Sequence, residues 1–280
     1  MPHPTNSDLT LVTGATGKTG RRIVERLAAA GRPVRTGSRA VDPAFDWARP
    51  DTWGPALAGV TAVYVAFAPD LAVEGSLETI RGFLDAAEAA GVRRVVLLSG
   101  RGEPEAQACE DELRSRGVDW TILRCSWFSQ NFSESVFLDG VLAGEVVTPA
   151  GLAAEPFLDA EDIADAAFAA LTRPGHAGKL YEMTGPHALT FGEAVAEIAT
   201  ATGRPIRHVE IPVEDYRAAL VGADLPPAYV ELVMYLFTTV LDGRNTPTAD
   251  GVRQALGRPA RSFAAYAGRV AAEGAWTPSA

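Results

Sequence analysis

Three glycines, Gly14, Gly17 and Gly20, stand three residues apart near the beginning of the chain. An apolar run at residues 9–13 precedes them, and a segment with the spacing of an amphipathic helix follows at residues 20–31. A strand, a glycine turn and a helix start in this order bring backbone N–H groups and the positive end of a helix together, which suits the pyrophosphate of a dinucleotide. We predict such a site here. The alternative is an ordinary glycine-rich turn without a ligand.

The second predicted strand, at residues 33–37, indicates which dinucleotide is preferred. Folds that bind NAD place Asp or Glu near the end of this strand to hold the ribose hydroxyls. Here the strand is followed by Ser38 and Arg39, and no acid occurs before Asp42. A hydroxyl and a guanidinium can hold a 2′-phosphate, with Lys18 of the glycine turn as a second cation. We predict NADPH as the cofactor. The alternative is that Arg39 is a solvated loop arginine.

Strand and helix patterns alternate through the first half of the chain. Apolar strands are predicted at residues 62–67, 92–98 and 118–123, and helices at residues 77–90 and 105–116. Alternation of this kind indicates a parallel sheet with helical crossovers. The expected fold class is therefore α/β, with a Rossmann-type doubly wound parallel sheet.

The pattern changes in the second half of the chain. Further helices and short strands are predicted at residues 162–171, 179–183, 190–202 and 206–211. Residues 214–272 are almost wholly helical in pattern. We expect an NADP(H)-binding core at residues 1–150. Residues 151–280 would form a mixed segment that returns to the core and a smaller, mainly helical lobe that binds the substrate.

Composition excludes several classes of protein. The chain has 280 residues with 47% hydrophobic and 21% charged side chains, as expected of a globular fold. A net charge of −10 argues against a nucleic-acid partner. No 18-residue apolar run occurs, and residues 1–8 are polar, so neither a membrane partner nor a signal core is expected. Cys109 and Cys125 form no metal site or disulfide framework, so the expected location is cytoplasmic.

The string TGATGKTG at residues 13–20 resembles the nucleotide loop of the atypical short-chain dehydrogenases, in particular the NmrA-like group. The resemblance extends over almost the whole chain, through residues 45–47, 62–68, 97–100, 119–132, 156–164 and 181–194. Residues 120–134 and the helical tail are particularly similar to the fungal ergot-alkaloid reductases and their bacterial relatives.

The resemblance implies roles for individual residues. The cofactor diphosphate would contact Gly14, Thr16, Gly17, Lys18, Thr19 and Gly20. The remainder of the cofactor would contact Ser38 and Arg39 at the 2′-phosphate, Asp46 and Trp47 near the adenine, Ala66, Phe67, Ala68 and Pro69 along the ribose linkage, and Ser99, Cys125 and Ser126 near the nicotinamide.

The chain departs from the larger family at the catalytic pair. Ordinary short-chain dehydrogenases protonate the carbonyl oxygen with a Tyr that is assisted by a Lys four residues later, because hydride addition creates an alkoxide. None of the six tyrosines here is followed by Lys at that spacing. The segment 105–116, where the resemblance places the pair, contains neither residue type. The single lysine of the isoflavone-reductase branch is absent there too.

Two functions remain open. The first is an NADPH-dependent reductase of a small, flat, apolar compound that needs little help with protonation, such as an iminium ion, a quinone or a conjugated ketone. The second is a non-catalytic NADP(H)-sensing regulator that acts through a protein partner, because NmrA-like proteins include members of that kind. The resemblance provides examples of both.

Candidate catalytic residues lie around the fourth predicted strand. Ser99 is expected to follow the strand and to donate a proton, and Arg101 to stabilise an oxyanion. The alternative for Arg101 is an ion pair with a neighbouring acid such as Glu103. The acidic clusters 110–112 and 161–162 are interpreted as solvated helix faces rather than acid–base pairs.

Candidate substrate contacts are mostly aromatic. They are Trp127, Phe128, Gln130, Tyr229 and Tyr235, with Phe237 nearby. Ligands of open α/β folds bind at the carboxyl ends of the strands, so these residues are expected to form a flat apolar slot over the nicotinamide. The alternative for each aromatic residue is packing within the protein. The run 230–240 is apolar on more than one face, which is also compatible with a homodimer contact.

Overall fold

In the computed structural model of the chain, residues 8–278 are described. The strands are β1 (Leu9–Thr13), β2 (Val34–Gly37), β3 (Val60–Val65), β4 (Arg94–Gly100), β5 (Asp119–Cys125), β6 (Glu145–Thr148), β7 (Ala154–Glu155), β8 (Lys179–Met183), β9 (Leu189–Thr190) and β10 (Arg207–Glu210). The helices are α1 (Gly20–Ala29), α2 (Trp53–Leu57), α3 (Ser76–Ala89), α4 (Pro104–Arg114), α5 (Leu138–Ala143), α6 (Ala160–Thr172), α7 (Phe191–Thr202), α8 (Val213–Gly222), α9 (Pro227–Tyr235), α10 (Gly251–Leu256) and α11 (Phe263–Ala272). The expectation that residues 1–8 contain no signal core concerns mainly residues 1–7, which lie outside the described part of the chain.

Six strands form the main sheet, in the order β2-β1-β3-β4-β5-β8. Neighbouring strands from β2 to β5 are parallel, and β1 pairs with both β2 and β3. The strand order therefore reverses on either side of β1, and open α/β sheets bind ligands at the carboxyl ends of their strands at such a point. The predicted α/β fold with a Rossmann-type parallel sheet is confirmed.

One face of the sheet is covered by α2, α3 and α4. Its apolar residues alternate along each strand and include Leu11, Val63 and Leu97, which pack with Phe83 and Leu113 of the helices. Burial on both faces explains why these strands are almost continuously apolar in sequence. The helix α3 contacts both α2 and α4, so this layer is continuous across the sheet.

The strand β4 begins and ends two residues later than predicted. It continues through Ser99 and Gly100, because these residues remain in parallel register with Arg124 and Cys125 of β5. The apolar pattern ends at Leu98, so strand structure at the next two residues could not be predicted from it. The prediction that Ser99 follows the strand is therefore wrong, because Ser99 lies within β4. As a consequence, the pleat of the strand sets the direction of its side chain.

Helices α1 and α6 are joined by ion pairs. Glu161 accepts hydrogen bonds from Arg22 Nε at 2.6 Å and Arg26 Nη2 at 2.5 Å, and Arg26 Nε also donates to Asp165 at 2.8 Å. Burial alone would raise the pKa of Glu161, but the two guanidinium groups hold it to about 2. Asp162 is fully buried and pairs with Arg258. The interpretation of residues 161–162 as a solvated face is corrected, because arginines from other elements cover both acids.

The structure divides into two compact units. Unit 1 contains the residues up to Cys125, Glu161–Glu182 and Gly251–Arg258, and unit 2 contains Ser126–Ala160, Met183–Asp250 and the residues from Pro259 onward. The predicted boundary at residue 150 falls inside unit 2. Within the described residues, no helix is long and apolar enough to cross a membrane.

Unit 2 is held together by an aromatic core. It contains the parallel pair β6 and β10, the antiparallel pair β7 and β9, and the helices α5, α7, α8, α9 and α11. Phe132 and Phe191 lie at its centre, and Trp276 donates through Nε1 to the Phe132 carbonyl oxygen at 2.8 Å. Helix α7 begins with a capping box in which Thr190 and Glu193 satisfy each other's backbone N–H groups.

Candidate functional site

The turn after β1 brings the three glycines into contact. Gly14 has a φ of +60°, in the left-handed region that favours glycine. The Gly17 N–H donates to the Gly14 carbonyl oxygen at 2.9 Å. A Cβ on Gly20 would lie 2.1 Å from that same oxygen, so the first turn of α1 packs directly on the loop. The backbone geometry therefore requires glycine at Gly20 and favours it at Gly14, and a Cβ on Gly17 would lie 3.2 Å from the Gly14 carbonyl oxygen.

We expect Gly20→Ala to damage this loop. The added methyl overlaps backbone atoms of Gly14, which cannot rotate away, so the loop must shift at a cost of about 1–3 kcal/mol or more. Thermal unfolding should move to lower temperature, and the Kd for NADPH should rise at least about tenfold. Gly268→Ala in α11 is the control, because a Cβ there meets nothing within 4 Å and a Gly→Ala change inside a helix gains about 0.5–1 kcal/mol. Equal behaviour of the two variants would contradict this packing.

The residues of the turn fit a diphosphate. Helix α1 is ten residues long and has no acid in its first turn, so its positive dipole end suits an anion. The Arg21 N–H of this turn donates to the Gly17 carbonyl oxygen at 3.2 Å. Thr16 and Gly17 are exposed, and Lys18 is half-buried. The Thr19 side chain is different, since its buried Oγ1 accepts from the Tyr64 hydroxyl at 3.0 Å. The role predicted for Thr19 is thereby limited to its backbone.

The end of β3 lies against the glycine turn. Thr13 Oγ1 accepts from the Ala66 N–H at 2.8 Å, and a Cβ on Gly14 would lie 3.2 Å from the Ala66 Cβ. Trp47 Nε1 donates to the Ala66 carbonyl oxygen at 3.2 Å, and its ring lies 5.1 Å from that of Phe67. The structure thus brings together the residues predicted to contact the diphosphate, the ribose linkage and the adenine.

Hydrogen bonds to the backbone and to the side chain of Asp46 hold it beside Trp47. Its carbonyl oxygen accepts from Trp53 Nε1 at 2.9 Å, and its carboxylate accepts from the Ala48 N–H at 3.0 Å. The rings of Phe45 and Trp47 meet edge to face at 4.9 Å, with Phe45 buried in the core of unit 1. The loop after β2 is therefore a packed platform rather than a free loop.

Ser38 and Arg39 emerge at the same edge as the glycine turn, since Gly37 is the register partner of Thr13. Ser38 Oγ accepts from the Ala40 N–H at 3.1 Å. Arg39 is exposed, and no acidic side chain of residues 8–278 pairs with its guanidinium. An exposed, uncompensated guanidinium beside an anion-binding turn is suited to a phosphate group.

Ser99 is bonded into the interior of unit 1. Its Oγ donates to Glu110 Oε1 at 2.7 Å, and Arg124 donates to both oxygens of the same carboxylate. Glu110 is 0% exposed, so its interpretation as part of a solvated face is corrected. Its hydroxyl proton is bonded to a buried carboxylate, and an alcohol is a weak acid that would leave an alkoxide beside that negative charge. Ser99 is therefore placed to position α4 against β4 rather than to donate a proton.

Arg101 belongs to the same network. Its Nε donates to Glu182 Oε1 at 2.7 Å, and the other oxygen of Glu182 lies 3.8 Å from Arg124 Nη1. The guanidinium is thus paired with an acid, as the alternative interpretation held, but the acid is Glu182 and not Glu103. An arginine with a neutralised charge is a weaker candidate for oxyanion stabilisation.

Cys125 ends β5 next to Gly100. The thiol is fully buried, its Sγ lies 3.5 Å from the Leu123 carbonyl oxygen, and burial raises its pKa above the ordinary value. A thiol in this state is neutral at physiological pH. The backbone of Cys125 accepts from the Arg101 N–H at 3.0 Å.

Two of the predicted substrate residues follow β5 in unit 2. Trp127 is half-buried and meets the rings of Phe191 and Phe237 edge to face, at 5.6 and 5.2 Å. Phe128 is also half-buried and forms a backbone bridge with Leu158. Both side chains therefore combine packing with an accessible surface.

Gln130 does not have the accessible amide that was predicted. It is fully buried, its Nε2 donates to Asp159 Oδ1 at 2.6 Å, and its Oε1 accepts from the Ala160 N–H at 2.8 Å. Arg269 holds the other oxygen of Asp159 at 2.8 Å. Both the nitrogen and the oxygen of the amide are hydrogen-bonded within unit 2, so Gln130 stabilises the interior of this unit.

The helical run 230–240 is mostly buried. Val233, Met234 and Phe237 lie in the aromatic core of unit 2, which accounts for the apolar residues on more than one face. Tyr229 and Tyr235 are half-buried, and burial raises the pKa of Tyr229. Most apolar side chains of this run thus serve the interior of the unit.

Comparison with known proteins agrees with these structural features. A family model described as NAD(P)H-binding matches residues 14–174, which is more than half of the chain. The chain belongs to this NAD(P)H-binding family of oxidoreductases. Its match begins at the first glycine of the turn after β1.

Curated relatives are similar over almost their whole length. The (4-alkanoyl-5-oxo-2,5-dihydrofuran-3-yl)methyl phosphate reductase of Streptomyces griseus is 35% identical, over 90% of this chain and 94% of that protein. The NAD(P)H azoreductase of Xenophilus azovorans is 31% identical, over 92% and 96%. The agroclavine dehydrogenase of Claviceps fusiformis is 30% identical, over 91% and 95%. The resemblance to ergot-alkaloid-type reductases is confirmed.

Solved structures share the fold. The triphenylmethane reductase of Citrobacter sp., complexed with NADP(H), has a TM-score of 0.75 at 22% identity and covers 94% of this chain and 99% of its own. NmrA, a negative transcriptional regulator in complex with NAD, has a TM-score of 0.67 at 17% identity, with 96% and 97% covered. At these identities the likeness concerns the fold alone.

Proposed function

We propose that this protein is an NADPH-dependent reductase that transfers hydride to a small, flat, apolar acceptor, namely an iminium ion, a quinone or a conjugated ketone. One observation carries the proposal: the glycine turn and the start of α1 lie at the same sheet edge as an exposed arginine that has no carboxylate partner among the described residues. Relatives named as reductases and dehydrogenases over nine-tenths of the chain support it.

The preference for NADPH rests on Arg39 and Ser38. When bound, NADPH supplies the hydride, and its 2′-phosphate distinguishes it from NADH. A guanidinium binds phosphate through two parallel hydrogen bonds, which are stronger than bonds between neutral groups. An acid at the end of β2 would repel this phosphate, and the first acid after the strand is the exposed Asp42.

The composition of α4 supports the proposed class of acceptor. Helix α4 contains no Tyr and no Lys, so no phenol assisted by a lysine is available there. An iminium carbon becomes neutral when it accepts hydride, and a quinone or conjugated ketone delocalises the charge that it gains. For such acceptors the protein contributes orientation and exclusion of water. We retain Trp127, Phe128, Tyr229 and Tyr235 as proposed aromatic contacts of the acceptor.

An acceptor panel tests the proposal. Oxidation of NADPH is followed with quinones, cyclic iminium salts and conjugated ketones, and each product is identified by mass. We expect turnover of at least one class, with NADPH preferred over NADH. Binding of NADPH without turnover of any member would contradict the reductase.

One observation favours a second candidate function. The fold is shared with NmrA, described as a negative transcriptional regulator, and the missing Tyr–Lys pair would also suit a protein that binds NADP(H) without using it. Binding without turnover in the same panel would support this NADP(H)-sensing role, which acts through a protein partner.

A further inference from the structure

Two carboxyl groups meet at the carboxyl edge of the main sheet. Asp70 follows β3, and Glu103 follows β4 directly before α4. Their side chains are within hydrogen-bond contact of each other. Glu103 is only 6% exposed, and Asp70 is half-buried. Buried acids normally pair with a base, but here the partner is a second acid.

The geometry around Glu103 leaves one oxygen without a donor. No N–H or hydroxyl group of the described residues reaches its buried Oε2. The carboxyl lies over Gly100, the last residue of β4, where a Cβ would be 2.0 Å from Oε2. Only glycine leaves room for the carboxyl at this place. A buried acceptor without a donor is costly, unless the group carries its own proton.

One shared proton satisfies the pair. Two carboxylates cannot hydrogen-bond to each other, whereas a carboxylic acid donates to a carboxylate. Burial, and then the charge of Asp70, raise the pKa of Glu103, with a smaller contribution from Glu105. Burial also raises the pKa of Asp70, but the N–H groups of Ala72, at 2.9 Å, and Leu71 oppose this rise. The negative charge therefore resides on Asp70, and the proton on Glu103.

The pair lies on the same two connections of the sheet as the positions proposed for the ribose linkage and the nicotinamide. Asp70 comes two residues after the Ala66–Ala68 segment, whose backbone contacts the glycine turn and Trp47. Glu103 comes four residues after Ser99, and its carboxyl covers the strand end next to Cys125. These segments carry the positions proposed for the ribose linkage and the nicotinamide.

We propose that Glu103, kept as a neutral carboxylic acid by Asp70, is the proton donor to the acceptor after hydride transfer. The inference rests on the proposed function and adds a catalytic residue to it. Hydride addition to a conjugated ketone leaves one negative charge on the enolate oxygen. The O–H bond of Glu103 then breaks, the proton joins that oxygen, and both carboxyls are ionised. A proton from water restores the acid. An iminium acceptor becomes neutral on hydride addition and does not need this step.

The variant Glu103→Gln tests the role, because its amide still donates to Asp70 but cannot give up a proton. General acid catalysis contributes about 10²–10⁴-fold, so we expect kcat for a conjugated ketone to fall about 100-fold. The rate with a cyclic iminium salt and the Kd for NADPH should change less than about threefold. Glu74→Gln, at an exposed position four residues after Asp70, is the control and should change neither rate appreciably.

A second measurement does not require turnover. Infrared spectra of the protein alone at neutral pH should contain the carbonyl band of a protonated, buried carboxylic acid, and Glu103→Gln should lack it. In wild type, kcat for the ketone should fall as pH rises through the raised pKa of Glu103. Asp70→Asn removes the neighbouring charge, so this fall should move to lower pH. Asp70 is thus a positioning residue that acts through Glu103.

The outcomes separate this inference from the proposed function. Wild type that reduces neither acceptor would overturn the reductase, and with it the donor. If wild type reduces both acceptors, two results for Glu103→Gln would overturn only the role of Glu103. One is an equal fall in kcat for the ketone and the iminium ion, and the other is an unchanged kcat for the ketone. If Glu103→Gln does not fold, a pH profile unchanged by Asp70→Asn would overturn it as well.

Discussion

Replacing Arg39 by Asp is expected to raise the Kd for NADPH about 100-fold and that for NADH less than about threefold. A hydrogen bond to a charged group contributes about 1.5–3 kcal/mol, which corresponds to roughly tenfold to a hundredfold in Kd. The aspartate adds repulsion of the phosphate, which moves the effect to the upper end. Isothermal titration of both cofactors measures the two values directly.

Arg32→Asp is the matched control for this experiment. Arg32 is also exposed and makes the same change of charge, but it precedes β2, at the opposite end of the strand from Arg39. Its effect on either cofactor should therefore be small. Equal losses of NADPH and NADH affinity in Arg39→Asp would show that Arg39 does not contact a 2′-phosphate.

The largest loss of stability is expected for Glu110→Gln. The carboxylate is 0% exposed and receives hydrogen bonds from Ser99 and from two nitrogens of Arg124. Removing one partner of a buried ion pair leaves an uncompensated charge and typically costs about 3–5 kcal/mol. Because Arg124 also lies 3.8 Å from Glu182, we expect a loss near 3 kcal/mol. Calorimetry should record a clear fall in the unfolding temperature.

Two further variants test this stability prediction, one as a control and one by removing both charges of the pair. Asp111→Asn changes the next residue of α4, whose exposed pair with Arg114 contributes at most about 1 kcal/mol. The double variant of Glu110→Leu with Arg124→Leu removes both charges and should be more stable than either single variant. A double variant that loses as much as the sum of the two single losses would argue against the pairing.

The sequence predicted the parts of the fold that depend on local pattern. The glycine spacing of residues 14–20 and the apolar runs of β1, β3 and β5 determine backbone conformation within a few residues, so they could be interpreted without the structure. The end of β4 could not, because Ser99 and Gly100 are held in the sheet by register with β5 and not by their own propensity.

The buried acids were missed for a related reason. A carboxylate in sequence is most often solvated, and its burial depends on partners distant in the chain. For Glu110 a signal did exist, since it shares a helix face with the buried Ala106, Cys109 and Leu113. For Glu103 no such signal exists, because its partner, Asp70, lies on another connection of the sheet.

The residues predicted to contact the substrate also differ in how well their surroundings could be predicted from the sequence. Gln130 looked like a polar contact because it stands among aromatic residues at the end of a strand. Its partners Asp159 and Ala160 are some thirty residues away in the chain, and only the folded unit 2 brings them to both ends of the amide. Trp127 and Phe128 keep the half-buried character that their type and position indicated.

The central claim is that this chain transfers hydride from NADPH without a Tyr–Lys pair. The most direct measurement uses NADPH carrying deuterium at the reactive C4 position, with a cyclic iminium salt and a conjugated ketone as acceptors. We predict one deuterium bound to carbon in the reduced product of at least one acceptor, formed at a rate that depends on enzyme concentration. Tight binding of the labelled NADPH with no deuterium in any product would contradict the claim.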